Sequence, residues 1–346
     1  QSVSGVDNTN AIINCHLATG KIGKPGSGPF SITGQPNAMG GREVGGLANM
    51  LAAHMDIENK QHNALVERFW LAENMVKTNG LKAVDMFEKL HKGDIKFIWI
   101  MATNPVVSMP NRQKIEEALL ACDTVVVSDT VSQNDTLKFA NVVLPATGRS
   151  EKDGTVTNSE RRISRQRAIF APIGQARHDW QIICDVAAKM GYQKSFEYSN
   201  VSEIFAEHAQ LTAFENNGGR DLDLSGLANM SKHQYDALQP IQWPVNKANP
   251  NGTVRMFTDN KFFTDNRKAK FIPIIPKSAQ QITCRKFPLV LNTGRVRDHW
   301  HTMTRTGKVA LLHRHTVQAE LSIHPTDADI TCLNDGDLVS LYAQHS

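Results

Sequence analysis

Two stretches of this 346-residue chain gather side chains suited to holding an anion or a heterocycle. The first, Asn292 to Lys308, reads NTGRVRDHWHTMTRTGK and carries three arginines, four threonines, His299, His301 and Trp300 in seventeen residues. Forked guanidinium groups, hydroxyls and imidazoles are good donors to phosphate oxygens. His299 and His301 also have the chemistry of metal ligands. No third ligand lies nearby, however, and hydrogen bonding fits the pair better. The second stretch, Thr33 to Glu43, reads TGQPNAMGGRE and sets the amides of Gln35 and Asn37 beside the charged pair Arg42 and Glu43. An amide offers both a donor and an acceptor to a heterocycle edge. Eight glycines fall between Gly23 and Gly46, so this backbone either turns sharply or approaches something closely.

Further basic residues cluster at Arg149, Lys152, Arg161, Arg162, Arg165 and Arg167. Charge alone reads such a group as a solvated face or as a site for an anionic ligand, phosphate being the best match. No G-x-G-x-x-G, G-x-x-x-x-G-K-[ST] or G-x-S-x-G pattern occurs, so any phosphate cradle is of another kind. Asp129 ends an apolar run. A carboxylate there either accepts from a ribose or an amino-heterocycle, or caps the next helix.

The elements that must position these residues alternate in type. Ile95 to Met101, Thr124 to Asp129 and Val142 to Pro145 are short, apolar and β-branched, as buried parallel strands are. Helical spacing marks Gln113 to Cys122, and a short helix is expected at Thr136 to Phe139. This order predicts an α/β fold with a doubly wound, mostly parallel sheet, helices on both faces, and ligands at the carboxyl ends of the strands. Helices are also expected over Asn10 to Leu17, Leu47 to Asn79, His178 to Met190 and Val201 to Leu211. Residues 213–280 read as irregular. From Phe287 the character turns to β, with strands expected at Leu289 to Asn292, Ala319 to Ile323 and Asp337 to Leu341. Both ends read as cut from a longer polypeptide.

Composition narrows the function classes. Hydrophobic residues make up 40% and charged residues 21%, ordinary for a globular protein, and no run approaches the length of a membrane span. A net charge of +4 is too mild to announce nucleic-acid binding. The five cysteines are scattered and form no Cys-x-x-Cys pair, which argues against a zinc ribbon, a disulfide scaffold or a locally bound cluster. A reducing cytoplasm is the expected compartment, and no direct metal ligand is expected here.

Taken in order, INCHLATGKIGKPGSGPFSITGQPNAMGGREVGG, MATNPVVSMPN, VVVSDTVSQNDTLKFANVVLPATGRSEKDGTVTNSERRISRQR, HDWQIICDVAAKMGY and LVLNTGRVRDHWHTMTRTGKVALL resemble the molybdopterin oxidoreductase superfamily. That group includes dimethyl sulfoxide reductase, formate dehydrogenase and the bacterial nitrate reductases. GQPNAMGGREVGG and TGRVRDHWHTMTRTG are most similar to its assimilatory nitrate reductase branch.

The resemblance implies a molybdenum bis(molybdopterin guanine dinucleotide) cofactor, nitrate as substrate and an electron-donor protein or subunit. It implies a [4Fe-4S] cluster on a segment upstream of these residues. Gln35 matches the loop beside the pterin and metal, and Arg42 an arginine near the metal that holds nitrate or steers it inward. Thr103, Asn104 and Pro105 match a nucleotide-contacting loop. Asp129 matches the acidic reader of a guanine or ribose, with Gln133 at a nearby contact. Lys152, Asp153, Gly154 and Thr155 match a loop along the cofactor. Thr293, Arg295, His299, His301 and Thr302 match a dinucleotide-holding loop of a final β-barrel domain. The implied division is the end of an upstream α/β domain (1–35), an α/β cofactor-binding region with an irregular inserted part (36–280), and the start of the barrel (281–346). The alternatives are another family activity, on formate or an S- or N-oxide, and an inactive nucleotide-binding scaffold.

Overall fold

Ile98 and Ile100 alternate with more exposed neighbours, and this period of two decides which face of a sheet they cover. The structure, a computed structural model, describes residues 3–279, 282–316 and 318–343. The chain forms two compact units, Gln1–Lys82 with Ala146–Gln280, and Ala83–Pro145 with Gln281–Ser346.

In the unit that contains the parallel sheet, strands Phe97–Met101, Thr124–Asp129 and Val142–Pro145 lie side by side in that order. The register pairs Ile98 with Val125 and Ile100 with Val127, so one face is continuous aliphatic surface. The helices Ala83–His91 and Arg112–Ala121 cover that face with Phe87, Leu90, Ile115, Ala118 and Leu119. The 3-10 turn Thr136–Phe139 packs on the same cluster through Leu137 and Phe139. Helices on both faces were expected, but the connections here share one face. Right-handed crossovers that always step in the same direction put every connection on one side. The order also lacks the reversal that defines a doubly wound sheet.

The later part of this unit departs further from expectation. Leu289 to Asn292, Ala319 to Ile323 and Asp337 to Leu341 form no strands, and no closed barrel occurs among the described residues. A strand is stable only when a neighbour completes its hydrogen-bond ladder. None does so here, and Val290 stays 82% exposed. The regular structure present is two 3-10 turns, Thr306–Lys308 and Ala310–His313, and the helix Pro325–Ile330.

In the other unit, Gly154–Thr157, Arg162–Gln166 and Ile241–Gln242 form an antiparallel sheet. Ile163, Phe205, Leu222, Leu224, Tyr235 and Trp243 pack together into its core. The expected helix from Leu47 to Asn79 is only Lys60–Trp70. It starts at Asn59, whose side chain accepts from the amides of Gln61 and His62. Upstream of it the short strands Met50–Leu51 and Met55–Asp56 pair as a hairpin through Ala53 and His54, both left-handed at φ 60° and 57°.

The basic stretch of residues 149–167 is largely spent within this unit. The Arg165 side chain is 2% exposed, pairs with Asp153 at 2.8 Å and Asp236 at 3.3 Å, and lies 4.0 Å over the Tyr235 ring. Replacing Arg165 with Met is expected to lower the unfolding free energy by about 2 kcal/mol, because two charge-assisted contacts are lost while both carboxylates can rehydrate. Urea denaturation of the two forms measures it; equal midpoints would remove Arg165 from the stabilising contacts.

Candidate functional site

Around the parallel sheet, two loops meet at the carboxyl ends of the first two strands. The chain leaves Met101 through Ala102, at φ 56°, and sends the buried side chain of Asn104 inward. Its Nδ2 donates to Thr304 Oγ1 at 2.9 Å, while its Oδ1 accepts from Thr136 Oγ1 at 2.7 Å. Asp129 ends the middle strand with its side chain 1% exposed. Its Oδ1 accepts from the Thr130 amide at 2.6 Å and from Arg305 Nη2 at 2.8 Å, and its Oδ2 from Asn134 Nδ2 at 2.9 Å. Asn134, not Asp129, caps the following turn by accepting from the Leu137 amide at 2.8 Å. The helix-cap alternative for Asp129 is thereby corrected: its strand ends too early to reach that turn's amides.

The TRTGK end of the stretch Asn292 to Lys308 closes on itself. The Trp300 amide donates to Thr306 Oγ1 at 3.1 Å, and Thr306 Oγ1 lies 3.2 Å from His299 Nδ1. When the hydroxyl proton goes to Nδ1, neutral His299 carries its own proton on Nε2. That nitrogen is buried and has no hydrogen-bond partner in the structure. Thr302 and Thr304 share a hydrogen bond of 2.8 Å, and Arg295 lies 5.9 Å from the Trp300 ring centre. No group of three or more His, Cys, Asp or Glu side chains fit to hold a metal occurs among the described residues.

A second cluster lies in the unit with the antiparallel sheet. Arg42 is exposed on the short helix Ala38–Glu43, and the neighbouring Glu43 is 4% exposed. Glu43 Oε1 accepts from Trp243 Nε1 at 2.6 Å, and Oε2 from Thr157 Oγ1 at 2.8 Å. The Thr157 amide also donates to Asn37 Oδ1 at 2.8 Å, so one residue of the sheet holds both ends of the helix. Gly40 permits this approach, since a Cβ there would lie 2.1 Å from Asn37 Oδ1. Burial pushes the Glu43 carboxyl above its usual range, against the lowering pull of Thr157 and Trp243. His54 Nδ1 lies 3.1 Å from Asp221 Oδ2. Burial opposes its charge, yet the Asp221 and Glu43 carboxylates prevail and raise its pKa. Burial also works on Asp221 upward, but His54 and the Leu222 amide hold it below the usual carboxylate range. Burial pushes His208 down to about 4, with the charge on His54 adding to the effect.

The candidates from sequence thus fall into two sets. Gln35, Arg42, Lys152, Asp153, Gly154 and Thr155 belong to one unit, and Thr103, Asn104, Pro105, Asp129, Gln133, Thr293, Arg295, His299, His301 and Thr302 to the other. Asn104 and Asp129 are drawn to the Thr302–Arg305 segment, whereas Thr103, Gln133 and Thr293 are exposed. Lys152 pairs with Asp179, and Asp153 with Arg165. Sequence reasoning passed over Thr304, Arg305 and Thr136, and over the Glu43–His54–Asp221 group. Arg305 stood in a visibly basic run; nothing local marks His54 or Asp221, 167 residues apart.

The sequence pattern described as Molybdopterin oxidoreductase matches residues 1–189. The chain belongs to the molybdopterin oxidoreductase family. A second pattern, the Molydopterin dinucleotide binding domain, matches residues 289–345 of this family member. It is 48% identical over 338 residues to the nitrate reductase of Klebsiella oxytoca, covering 98% of this chain and 38% of that one. It is 35% identical to the assimilatory nitrate reductase catalytic subunit of Bacillus subtilis (strain 168), covering 99% of this chain and 47% of that one. The chain therefore spans less than half the length of these relatives. Among solved structures, the acetylene hydratase from Pelobacter acetylenicus matches with a TM-score of 0.53 and 16% identity, over 73% of this chain and 35% of that one. That likeness concerns the fold. No helix among the described residues is long and apolar enough to cross a membrane.

Proposed function

We propose that this molybdopterin oxidoreductase chain is part of a nitrate reductase catalytic subunit, which reduces nitrate to nitrite. The observation that carries this reading is the 48% identity to a nitrate reductase across 98% of the chain. The residues of the dinucleotide-binding segment fit the implied molybdopterin guanine dinucleotide. The unpartnered His299 Nε2 is a donor suited to an anion, and the part-exposed Arg305 presents a guanidinium held in place by Asp129, whose buried carboxylate, like the Asn104 amide, is already hydrogen-bonded within the protein. When bound, the cofactor supplies the two-electron chemistry at molybdenum, while the protein supplies position, charge and exclusion of water.

The chain's own part in the reaction centres on the helix that carries Arg42. Its exposed guanidinium supplies a fixed positive charge that attracts and orients a planar anion such as nitrate. Thr157 and Trp243 fix the helix through Glu43, so the cation is presented from a rigid support. The iron–sulfur cluster, the electron donor and the cytoplasmic location implied by the resemblance belong to the same reading. So does a closing β-barrel.

The test uses the cofactor-loaded enzyme carrying these residues, offered nitrate with reduced methyl viologen as electron donor and, separately, formate with oxidised methyl viologen as electron acceptor. Nitrite production with no formate oxidation is expected; formate oxidation without nitrite would replace this reading with the formate branch of the family. In the same assay Arg42→Ala is expected to raise the KM for nitrate about tenfold, a loss of about 1.4 kcal/mol of anion attraction. An unchanged KM would take Arg42 out of nitrate binding.

A further inference from the structure

We propose that His54, held by Asp221, is the proton donor that serves the anion site at Arg42. The proposal rests on the nitrate reading above. Reduction of nitrate to nitrite takes up two electrons and two protons and releases one water. Nitrogen is reduced as an N–O bond breaks, two equivalents of a one-electron donor such as reduced viologen are oxidised, and the departing oxygen must be protonated twice. His54 gives one of these protons from Nε2, leaving a neutral ring whose Nδ1–H remains on Asp221. The other comes from solvent, which also recharges the ring.

Several independent observations support the assignment. The Ala53 amide donates to the Glu43 carbonyl at 2.7 Å, which binds the His54 turn to the residue next to Arg42. Asp221 takes His54 Nδ1 with both oxygens, at 3.2 and 3.1 Å, so the ring orientation is fixed and Nε2 is left as the nitrogen that exchanges a proton. Ala53 and His54 are both left-handed without being glycine, a conformation that costs about 1–2 kcal/mol per residue and is tolerated where a side chain must be aimed. The ring packs edge-on to Trp243 at 5.7 Å between centroids, and Trp243 in turn binds Glu43. Glu43, His54 and Asp221 are thus tied together through Trp243 and the Ala53 amide, and the charge of the neighbouring Arg42 acts on the His54 ring.

The charges around the ring set its working range. Asp221 and Glu43 favour the imidazolium, while Arg42 and burial oppose it. The charge on His54 is also felt at His208, which burial holds neutral. Arg161 and Arg220 act on Asp221 from their own loops. The balance keeps His54 protonated to higher pH than an ordinary histidine, as a donor to nitrate needs.

The test compares wild type, His54→Gly and Asp221→Asn in the cofactor-loaded enzyme. Glycine accepts the left-handed backbone and leaves a space that free imidazole can enter. Expected for His54→Gly is a kcat for nitrate lowered about 10- to 100-fold. Its KM should stay within about twofold, the fall of kcat at high pH should disappear, and added imidazole should restore turnover. Independently of activity, hydrogen exchange at the imidazole C2 of His54, read by mass spectrometry, should titrate above the ordinary histidine value in wild type and lower in Asp221→Asn. An active wild type whose His54→Gly form keeps its kcat and pH profile overturns the proposal alone. Loss of kcat and KM together, without imidazole rescue, assigns the pair to structure and also overturns it. A wild type that makes no nitrite removes the nitrate reading, and the proposal with it.

Discussion

Glu43→Ala is expected to lower the unfolding free energy by about 4 kcal/mol, since two buried donors lose their acceptor and each such loss costs about 1–3 kcal/mol. Trp243 Nε1 and Thr157 Oγ1 both end on this carboxylate, and Trp243 is itself 3% exposed, so water cannot take its place. At about 2–4 °C per kcal/mol, the thermal midpoint should fall by about 10 °C. Glu43→Gln keeps one acceptor oxygen and should lose about half as much. It also resembles the protonated acid, towards which burial already pushes Glu43. Calorimetry of the three forms at one pH decides it. A midpoint for Glu43→Ala within about 2 °C of wild type would mean that the two donors find other partners.

Acid should weaken the fold through His208. Its pKa is about 4 in the folded chain against an ordinary 6.5, so between these values the unfolded chain binds a proton that the folded one refuses. Stability contributed by the neutral ring is therefore present above pH 6.5 and lost as pH falls towards 4, amounting to about 3 kcal/mol. Asp221, held below its usual range, adds a loss in the same direction at lower pH. His54 and Glu43 work the other way. Both are raised when folded, so their contribution fades as pH rises through their folded pKa values. Unfolding of wild type and His208→Leu, followed from pH 7 to pH 4, should show a steep decline in the first and a shallower one in the second. Parallel declines would place the acid sensitivity elsewhere.

The parts of the fold legible in the sequence are those with local causes. The middle strand Thr124–Asp129 appears with the bounds and burial expected, because a short β-branched apolar run suits a covered sheet. Val142–Pro145 keeps its expected bounds but not its expected burial: it is the edge strand, with Val142 and Val143 exposed. The helices Arg112–Ala121 and Asp179–Lys189 lie within one residue of their expected ends. The failures have non-local causes. Leu289 to Asn292 has strand composition but no partner, and a hairpin at Met50–Asp56 interrupts a helical pattern without glycine or proline to announce it.

The sequence by itself determined the family, through the resemblance of its ordered motifs, and the parallel αβ order, through residue type and spacing in short segments. It also marked two stretches rich in donor side chains. Only tertiary structure decided which of those residues meet. Asn104 reaches Thr304 across 200 positions, Asp129 reaches Arg305 across 176, and Glu43 reaches Trp243 across 200. It also decided that Lys152 and Asp153 spend their charges on Asp179 and Arg165. A buried polar atom takes whatever partner the packed chain brings within about 3 Å, and no local pattern records that choice.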